Sequence, residues 1–357
     1  MKKFLAMILA LCMVLGLAAC GGSGSGTPTP APTEAPAETP AEVPADETPA
    51  EPEEVTPEVA WPEFITIGGG GSTATFYAVA TAVAQLISDN TDCVATGQAT
   101  NGGTSNMQML KTGEIEFGMA DQFTANLAYN GMNDFAGNAV DNLRAIAVIY
   151  KGVFAIQAAP NSGIESSADL AGKTVCVGMS NSGTETVTRE VFTALGLDYI
   201  NGNGIKAEFV GADSGTDLLR NGQADAMTFF APVPDSSQTE IMLTANTHLV
   251  SLSDEAIEAL TGEGSPLALN VIPAGSYDGQ DEDIYTVYAP MVLWTTSDMD
   301  EGVVYEVTKM LYENLGTLEN SNAVFGKITA DNIAADISIP LHDGALRYYT
   351  EAGIIAG

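Results

Sequence analysis

The stretch from Gly68 to Tyr77, "GGGGSTATFY", lies between the apolar segments "FITI" and "AVATAVAQLI". "FITI" is typical of a buried strand, and the apolar residues after the glycines recur at helical spacing, at positions 76, 79, 83, 86 and 87. The sequence therefore predicts a strand, a glycine-rich loop and a helix. Free N–H groups at such a helix N-terminus can hold a small anion. A turn without any ligand is the alternative.

The alternation of strands and helices continues through two successive series, the second of which starts after Tyr150. The segments "CVATGQAT", "IEFGMA" and "LRAIAVIY" predict strands of the first series, and "KTVCVG", "IKAEFVG" and "ADAMTFF" predict strands of the second. Long strand-like crossings near residues 148 and 286 are followed by C-terminal helices. This pattern predicts an α/β fold with a mostly parallel sheet. We expect two lobes joined by a hinge, with lobe I at residues 63–148 and 286–357 and lobe II at residues 149–285.

The N-terminal segment "MKKFLAMILALCMVLGLAAC" has two lysines, an apolar run and small residues, which predicts a secretory signal peptide over residues 1–19. "LAAC" resembles the bacterial lipobox, which implies cleavage before Cys20 and a lipid on its sulfur. A plain signal peptide with an incidental Cys20 is the alternative. Residues 20–62 are rich in Pro, Ala, Thr and Glu, so they predict a disordered tether behind the lipid anchor.

Length, charge and residue spacing limit the kinds of partner and site that the sequence supports. The 357 residues suggest about two domains, and 46 acidic against 12 basic residues give a net charge of −34. Such a surface repels nucleic acid, which we therefore exclude as a partner. Cys93 and Cys176 lie in strand-like stretches and are interpreted as buried free thiols. We expect no metal site, because no Cys or His spacing suggests one. We also expect no cofactor, because the glycine loop lacks the P-loop lysine and the third glycine of a dinucleotide fingerprint.

Two further loops repeat the chemistry of the first. They are "TNGGTSN" at residues 100–106 and "SNSGTET" at residues 180–186, each between a predicted strand and a predicted helix. Parallel strands place such loops at their carboxyl ends, where open α/β proteins bind ligands. The loops could therefore face one another across a cleft between the lobes. Capping of helices by glycine and hydroxyl residues, without any ligand, is the alternative.

From about residue 64 onward the chain resembles the TAXI family, the solute-binding subunits of TRAP (tripartite ATP-independent periplasmic) transporters. The stretches that carry the resemblance include "ITIGGGGSTATFY", "ATNGGTSNMQMLKTGEIEFGMAD", "GKTVCVGMSNSGTETVTREVF" and "IPLHDGALRYY". The resemblance implies a two-lobed, type II periplasmic-binding-protein-like fold that closes on a solute. It also implies delivery of that solute to a membrane permease of the TRAP type. A binding protein of an ABC transporter is the nearest alternative.

The resemblance implies ligand contacts in all three loops. The candidate residues are Gly70, Gly71, Ser72, Thr73 and Tyr77 in the first loop and helix, Gly102, Gly103 and Thr104 in the second, and Ser182, Gly183 and Thr184 in the third. Tyr77 could instead anchor its helix in the core. Asp121 departs from the family pattern, in which a glutamine is common. A carboxylate there would suit a ligand ammonium group, or would only cap the following helix.

Four other residues are weighed beside these. No Lys or Arg occurs in the three loops, and Lys151, near the expected hinge, either reaches the cleft or is a solvated surface lysine. Phe229 and Phe230 either form a wall of the pocket or belong to the core. His342, in "PLHDG", is expected to dock the C-terminal segment and not to catalyse.

The sequence carries no sign of catalysis, since it has neither a G-x-S-x-G elbow nor an HExxH motif. We therefore expect a binding protein that captures a small carboxylate, either a glutamate-like amino acid or a related organic acid. It would act outside the cytoplasm, anchored by lipid to the outer face of the cell membrane, or in the periplasm of a Gram-negative cell. A sensory or adhesive surface protein that keeps the same fold is the remaining alternative.

Overall fold

The computed structural model describes residues 59–356. The predicted signal peptide, the lipidation site at Cys20 and nearly all of the predicted tether lie outside the described residues. Within residues 59–356, no helix combines the length and the apolar character that crossing a bilayer requires.

A single sheet of ten strands forms the centre of the molecule, with the order β2-β1-β3-β10-β4-β7-β5-β6 and with β8 and β9 pairing beside this path. The strands are β1 (Phe64–Gly68), β2 (Val94–Gln98), β3 (Phe117–Asp121), β4 (Leu143–Ala158), β5 (Thr174–Cys176), β6 (Lys206–Glu208), β7 (Ala226–Ala231), β8 (His248–Val250), β9 (Ala268–Ile272) and β10 (Ile284–Thr296). The predicted α/β class is confirmed. The expectation of a mostly parallel sheet is wrong, because β10 and β4 are antiparallel to all of their partners and five of the nine strand pairings are therefore antiparallel.

Strand direction decides where a ligand can bind. Strands β2, β1 and β3 are parallel and form the core of what we call the first half, and β7, β5 and β6 are parallel and form the core of the second half. The long strands β10 and β4 lie between them, each antiparallel to its neighbours. Because three antiparallel pairings separate β3 from β7, these strands run in opposite directions. The register places both carboxyl ends near the middle of the long strands, since Asp121 of β3 pairs with Met291, and Ala231 of β7 pairs with Val153, itself the partner of Tyr288. The carboxyl ends of the two halves therefore face each other.

Helices cover both faces of the sheet. They are α1 (Thr75–Asn90), α2 (Gly103–Thr112), α3 (Gln122–Asn130), α4 (Gly183–Ala194), α5 (Ala212–Arg220), α6 (Ser236–Ala245), α7 (Asp254–Leu260), α8 (Glu301–Glu313), α9 (Leu315–Ser321) and α10 (Asp343–Glu351). Helices α2 and α3 end where the sequence predicts, at Gly113 and Gly131, which both adopt the left-handed conformation. The sequence analysis did not identify α6, α7, α9, β8 or β9.

Strand β4 differs from the prediction. The segments on either side of Tyr150, expected as two strands of separate series, form one strand of 16 residues. Gly152 lies in the middle of it, and a Cβ there would collide with the side chain of Met291 on β10. A close approach of two neighbouring strands therefore explains this glycine better than a turn does.

The C-terminal segment returns to the first half. Leu341 forms a bridge with Ala145 of β4, and the buried Tyr349 donates its hydroxyl to the carbonyl of Ile146, at 2.9 Å. His342 begins α10, where its Nδ1 accepts from Gly344 N–H at 3.2 Å and its Nε2 contacts the carbonyl of Met299 at 3.1 Å. The expected docking role of His342 agrees with these contacts.

Candidate functional site

A cavity of about 360 Å³ lies between the facing carboxyl ends of the two halves. Ten of the twelve ligand-binding residues expected from the sequence line it. They come from all three loops and from the end of β3, and are Gly70, Gly71, Ser72, Thr73, Gly102, Gly103, Asp121, Ser182, Gly183 and Thr184. The structure therefore brings together residues that are more than a hundred positions apart in the chain.

Two of the twelve residues do not reach the cavity. Tyr77, in the first turn of α1, does not line the cavity, and its backbone packs against Gly69, where a Cβ would lie 2.7 Å from the Tyr77 Cα. Thr104 is fully buried, and its hydroxyl lies 2.8 Å from the hydroxyl of Thr186. That bond occupies the Thr104 hydroxyl, so it has no access to a solute.

The four glycines that open the first loop divide into two pairs. A Cβ on Gly68 would collide with the side chain of Asn106, and one on Gly69 would collide with the backbone of α1. The buried Asn106 donates to the carbonyls of Gly69 and Met119, at 2.6 and 2.7 Å, and so ties the loop to β3. Gly70 and Gly71 line the cavity. The first pair therefore serves packing, and the second gives a solute access to the backbone.

Six helices begin at the wall of the cavity. Asp121, Ser182 and Asp235 cap α3, α4 and α6 with their side chains. The N-cap residues of α1, α2 and α5 are Ala74, Gly102 and Gly211, and no side chain caps these three helices. Uncapped N-termini offer free N–H groups and the positive end of the helix dipole, which together favour a carboxylate or another anion.

The charged side chains of the wall are all acidic. Asp121, Asp213 and Asp235 line the cavity, and no Lys or Arg does. Asp213 belongs to the second half and accepts a hydrogen bond from the hydroxyl of Thr73 in the first, at 3.2 Å. The site thus combines N–H groups for an anionic group with carboxylates for a cationic one.

Asp121 occupies the centre of this arrangement. It is fully buried, its Oδ1 accepts from Thr124 N–H at 2.7 Å, and its Oδ2 accepts from the Thr124 hydroxyl at 2.8 Å. Burial raises the pKa of this carboxyl to about 6, against the lowering effect of the hydrogen bonds from Thr124. Asp121 therefore caps α3, as one interpretation holds, and also borders the cavity, while its contact with a ligand ammonium group stays a prediction.

A second carboxylate is held in the same way. Asp235 accepts from the N–H groups of Ser237 and Gln238, at 3.0 and 3.1 Å, and burial raises its pKa. Tyr150 also lines the cavity, and its own pKa is raised by burial and by the negative charges of Asp235 and Asp121. A positively charged group of a solute would stabilise the ionised forms of Asp121 and Asp235 against this effect of burial, so this region favours such a group.

Part of the wall is apolar. Phe76 packs against Tyr150 with ring centroids 6.1 Å apart, and Met179, Phe229 and Phe230 complete this surface. Phe229 and Phe230 are also almost fully buried, at 5% and 8% exposed, so they belong both to the core and to the wall. Methionine and aromatic side chains accept apolar groups of varied shape.

One residue considered for the cavity does not line it, and three residues that line it were not predicted. Lys151 does not line this cavity, and its ammonium lies 3.9 Å from the centre of the Tyr288 ring. Sequence reasoning missed Asp213, Asp235 and Ser237, because it did not identify α6 and did not compare the start of α5 with the three loops. "VPDSS" carries a signal that could have found two of them, since an Asp after Pro is typical of a helix start.

The described part of the chain contains no group of three or more His, Cys, Asp or Glu side chains that could hold a metal ion. Cys93 and Cys176 are buried free thiols, as predicted. The arrangement offers hydrogen bonds, dipoles and charge for reversible binding.

Comparison with known proteins identifies the family. A model of the NMT1-like family matches residues 67–353, which include the cavity and the sheet. The chain belongs to the NMT1-like family. The finer assignment to the TAXI proteins is not part of this match.

Three solved structures illustrate what this NMT1-like chain is similar to, at low sequence identity. One is the alkanesulfonate-binding protein SsuA from Xanthomonas axonopodis pv. citri bound to MOPS (14% identity, TM-score 0.46, 83% of this chain and 81% of that one). Another is XAC2383 from Xanthomonas citri bound to chloride ion (11%, 0.49, 82% and 98%). A third is a putative L-cystine ABC transporter from Listeria monocytogenes (14%, 0.44, 74% and 95%). The NMT1-like chain itself has the mixed α/β sheet described above.

Proposed function

We propose that this protein captures a small solute outside the cytoplasm by closing its two halves around the cavity. The observation that carries the proposal is the cavity itself, which loops from both halves line at the facing carboxyl ends of their strands. Open α/β proteins bind ligands at such ends. The predicted lobe boundaries and hinge belong to this proposal.

The chemistry of the wall favours an amino acid as the solute. The uncapped starts of α1, α2 and α5 suit a carboxylate, and the three aspartates suit an ammonium group. A dicarboxylate without an amino group would meet three carboxylates and no cationic side chain. We therefore place the solute among amino acids, including glutamate-like ones, and not among plain organic acids.

Delivery to a membrane permease of the TRAP type is the finer part of the proposal, and it rests on the resemblance of the three loops to TAXI proteins. The lipid anchor at Cys20 would hold the protein at the outer face of the membrane. A Cys20→Ala protein that still fractionates with membranes would contradict the anchor. A gene for a TRAP permease beside this one would support delivery. A neighbouring ABC transporter, or a sensor kinase, would favour the alternatives.

Thermal unfolding of the chain without its signal peptide, residues 20–357, tests the solute class. The ligand panel contains amino acids, dicarboxylates and 2-oxoacids. A ligand at 100 times its Kd stabilises the folded state by about 2.7 kcal/mol, which gives a clear rise in Tm. We expect the rise with an amino acid and not with a dicarboxylate or 2-oxoacid of equal length. The reverse order would contradict the amino-acid assignment, and no shift with any compound would contradict solute capture.

A further inference from the structure

Helix α4 and the loop before it, in the second half, contact the first half at two points. One contact joins backbone atoms, and the other joins two hydroxyl groups. The N–H of Ser105 donates to the carbonyl of Asn181 at 3.1 Å. The hydroxyls of Thr104 and Thr186 lie 2.8 Å apart and are buried. Both contacts lie beside the cavity, between the start of α2 and the start of α4.

A third contact extends from the same helix to a point outside the cavity. The guanidinium of Arg189 contacts both carboxylate oxygens of Asp134, at 3.1 and 2.5 Å. Asp134 lies in the 3-10 turn Asn133–Phe135 of the first half. Neither residue lines the cavity. A two-bond pairing of Arg with a carboxylate is the strongest geometry for such a pair.

Arg189 is held in position by its own half. Its guanidinium lies 3.1 Å from a carboxylate oxygen of Glu185, one turn earlier on α4. Glu185 is buried, and its carboxylate accepts a hydrogen bond from the Tyr199 hydroxyl at 2.9 Å. The guanidinium is therefore oriented before it meets Asp134, so less side-chain freedom is lost when the halves come together.

We propose that Arg189 and Asp134 form an affinity-setting pair that holds the two halves together from outside the cavity. The effect on solute binding rests on the proposed function, whereas the effect on opening of the halves does not. Apparent affinity scales with the fraction of molecules in the binding-competent arrangement. Removing this pair raises the population of opened molecules, and the solute then dissociates faster although no cavity residue has changed.

The test uses Asp134→Lys, which places like charges against each other and leaves the contact between Arg189 and Glu185 in place. The readout is hydrogen exchange of the Ser105 amide, because this N–H bonds only across the two halves. We expect its exchange to accelerate by about three- to tenfold, as for the loss of one partly exposed ion pair and the added repulsion. The matched control is Asp92→Lys, which makes the same charge change at an exposed position of the first half.

Asp134→Glu, which keeps the charge, should restore slow exchange of the Ser105 amide. Asp134→Asn, which keeps the volume, is the second variant if the lysine variant does not fold. Unchanged exchange at Ser105 in the Asn and Lys variants would overturn the proposal, as would equal acceleration in Asp92→Lys. If exchange at Ser105 is faster in the variants but no compound of the ligand panel binds the protein, the pair is supported and solute capture is refuted. Faster solute release with unchanged Ser105 exchange would instead contradict the pair.

Discussion

The carboxylate of Asp121, at the end of β3, lies directly against the backbone of Gly183, at the start of α4. A Cβ on Gly183 would collide with Asp121 Oδ2. Two residues from opposite halves therefore meet at the centre of the site, and the contact requires the smallest side chain on one side. The third loop thus needs its glycine for the close approach of the two halves.

Gly183→Ala should weaken solute binding, because the methyl group can be accommodated only if the halves move apart or the Asp121 side chain leaves its bonds with Thr124. We expect at least a tenfold loss of affinity by calorimetry, equal to about 1.4 kcal/mol. Gly316→Ala on α9 is the control, since no atom lies within 4 Å of a Cβ there. Adding Asp121→Ser, which shortens the side chain and keeps a capping hydroxyl, should relieve the collision. Wild-type affinity in Gly183→Ala would show that the halves do not approach at this point.

Asp121 should make the protein less stable as pH rises through about 6. Its folded pKa is raised by burial, so the folded state holds the proton more tightly than the unfolded state does. The resulting stability is fully present below about pH 4 and is lost as pH rises to about 6. The loss amounts to at most about 3 kcal/mol. Urea unfolding of wild type and Asp121→Asn across this range measures it. The variant should show less decline, whereas the exposed-site control Asp92→Asn should follow the wild type.

Solute affinity should change with pH in the opposite direction. An ammonium group binds the ionised carboxyl, so affinity for an amino acid should fall by up to tenfold per pH unit below about 6, where Asp121 takes up its proton. Calorimetry at several pH values measures the slope, and Asp121→Asn should reduce it. Affinity that stays constant from pH 7 to pH 5 would mean that Asp121 does not face the ammonium group.

Ser72→Ala and Thr184→Ala should each weaken binding by about 10- to 100-fold, the value of one hydrogen bond to a charged group. The two residues lie in opposite halves of the cavity wall, and among residues 59–356 their hydroxyls have no hydrogen-bond partner. Thr112→Ala, at the exposed end of α2, removes a hydroxyl far from the wall and should leave affinity unchanged. If both cavity variants bind as tightly as the wild type, the site is assigned wrongly.

His342→Ala should lower the free energy of unfolding by about 1 to 2 kcal/mol, because α10 loses its cap and the contact with the Met299 carbonyl. His342→Asn, which can still cap the helix, should lose less. Thr350→Ala, an exposed position on the same helix, should change stability by less than about 0.5 kcal/mol. Urea unfolding measures all three. A destabilised Thr350→Ala with an unaffected His342→Ala would contradict the docking role.

Helices and strands that repeat a clear pattern could be predicted from the sequence. Helices α1 to α5 follow apolar periodicity, with glycine at the ends of α2 and α3, and strands β1 to β3 follow short apolar runs. The two strands expected on either side of Tyr150 form one strand, β4, in which Gly152 allows a close contact with Met291. The periodicity of one strand contains no information about the side chain on its neighbour.

The sequence by itself determined the α/β class and the three glycine and hydroxyl loops, because these depend on local spacing and on the carboxyl ends of parallel strands. The resemblance of those loops to a known family implied which of their residues contact a solute, and ten of the residues implied in this way line one cavity. Only the tertiary structure decided which hydroxyls and carboxylates remain available. It paired Thr104 with Thr186, added Asp213 and Asp235 to the wall, and placed Asp134 opposite Arg189. Those outcomes depend on the approach of the two halves, and burial and pairing between distant residues exist only once the chain has folded.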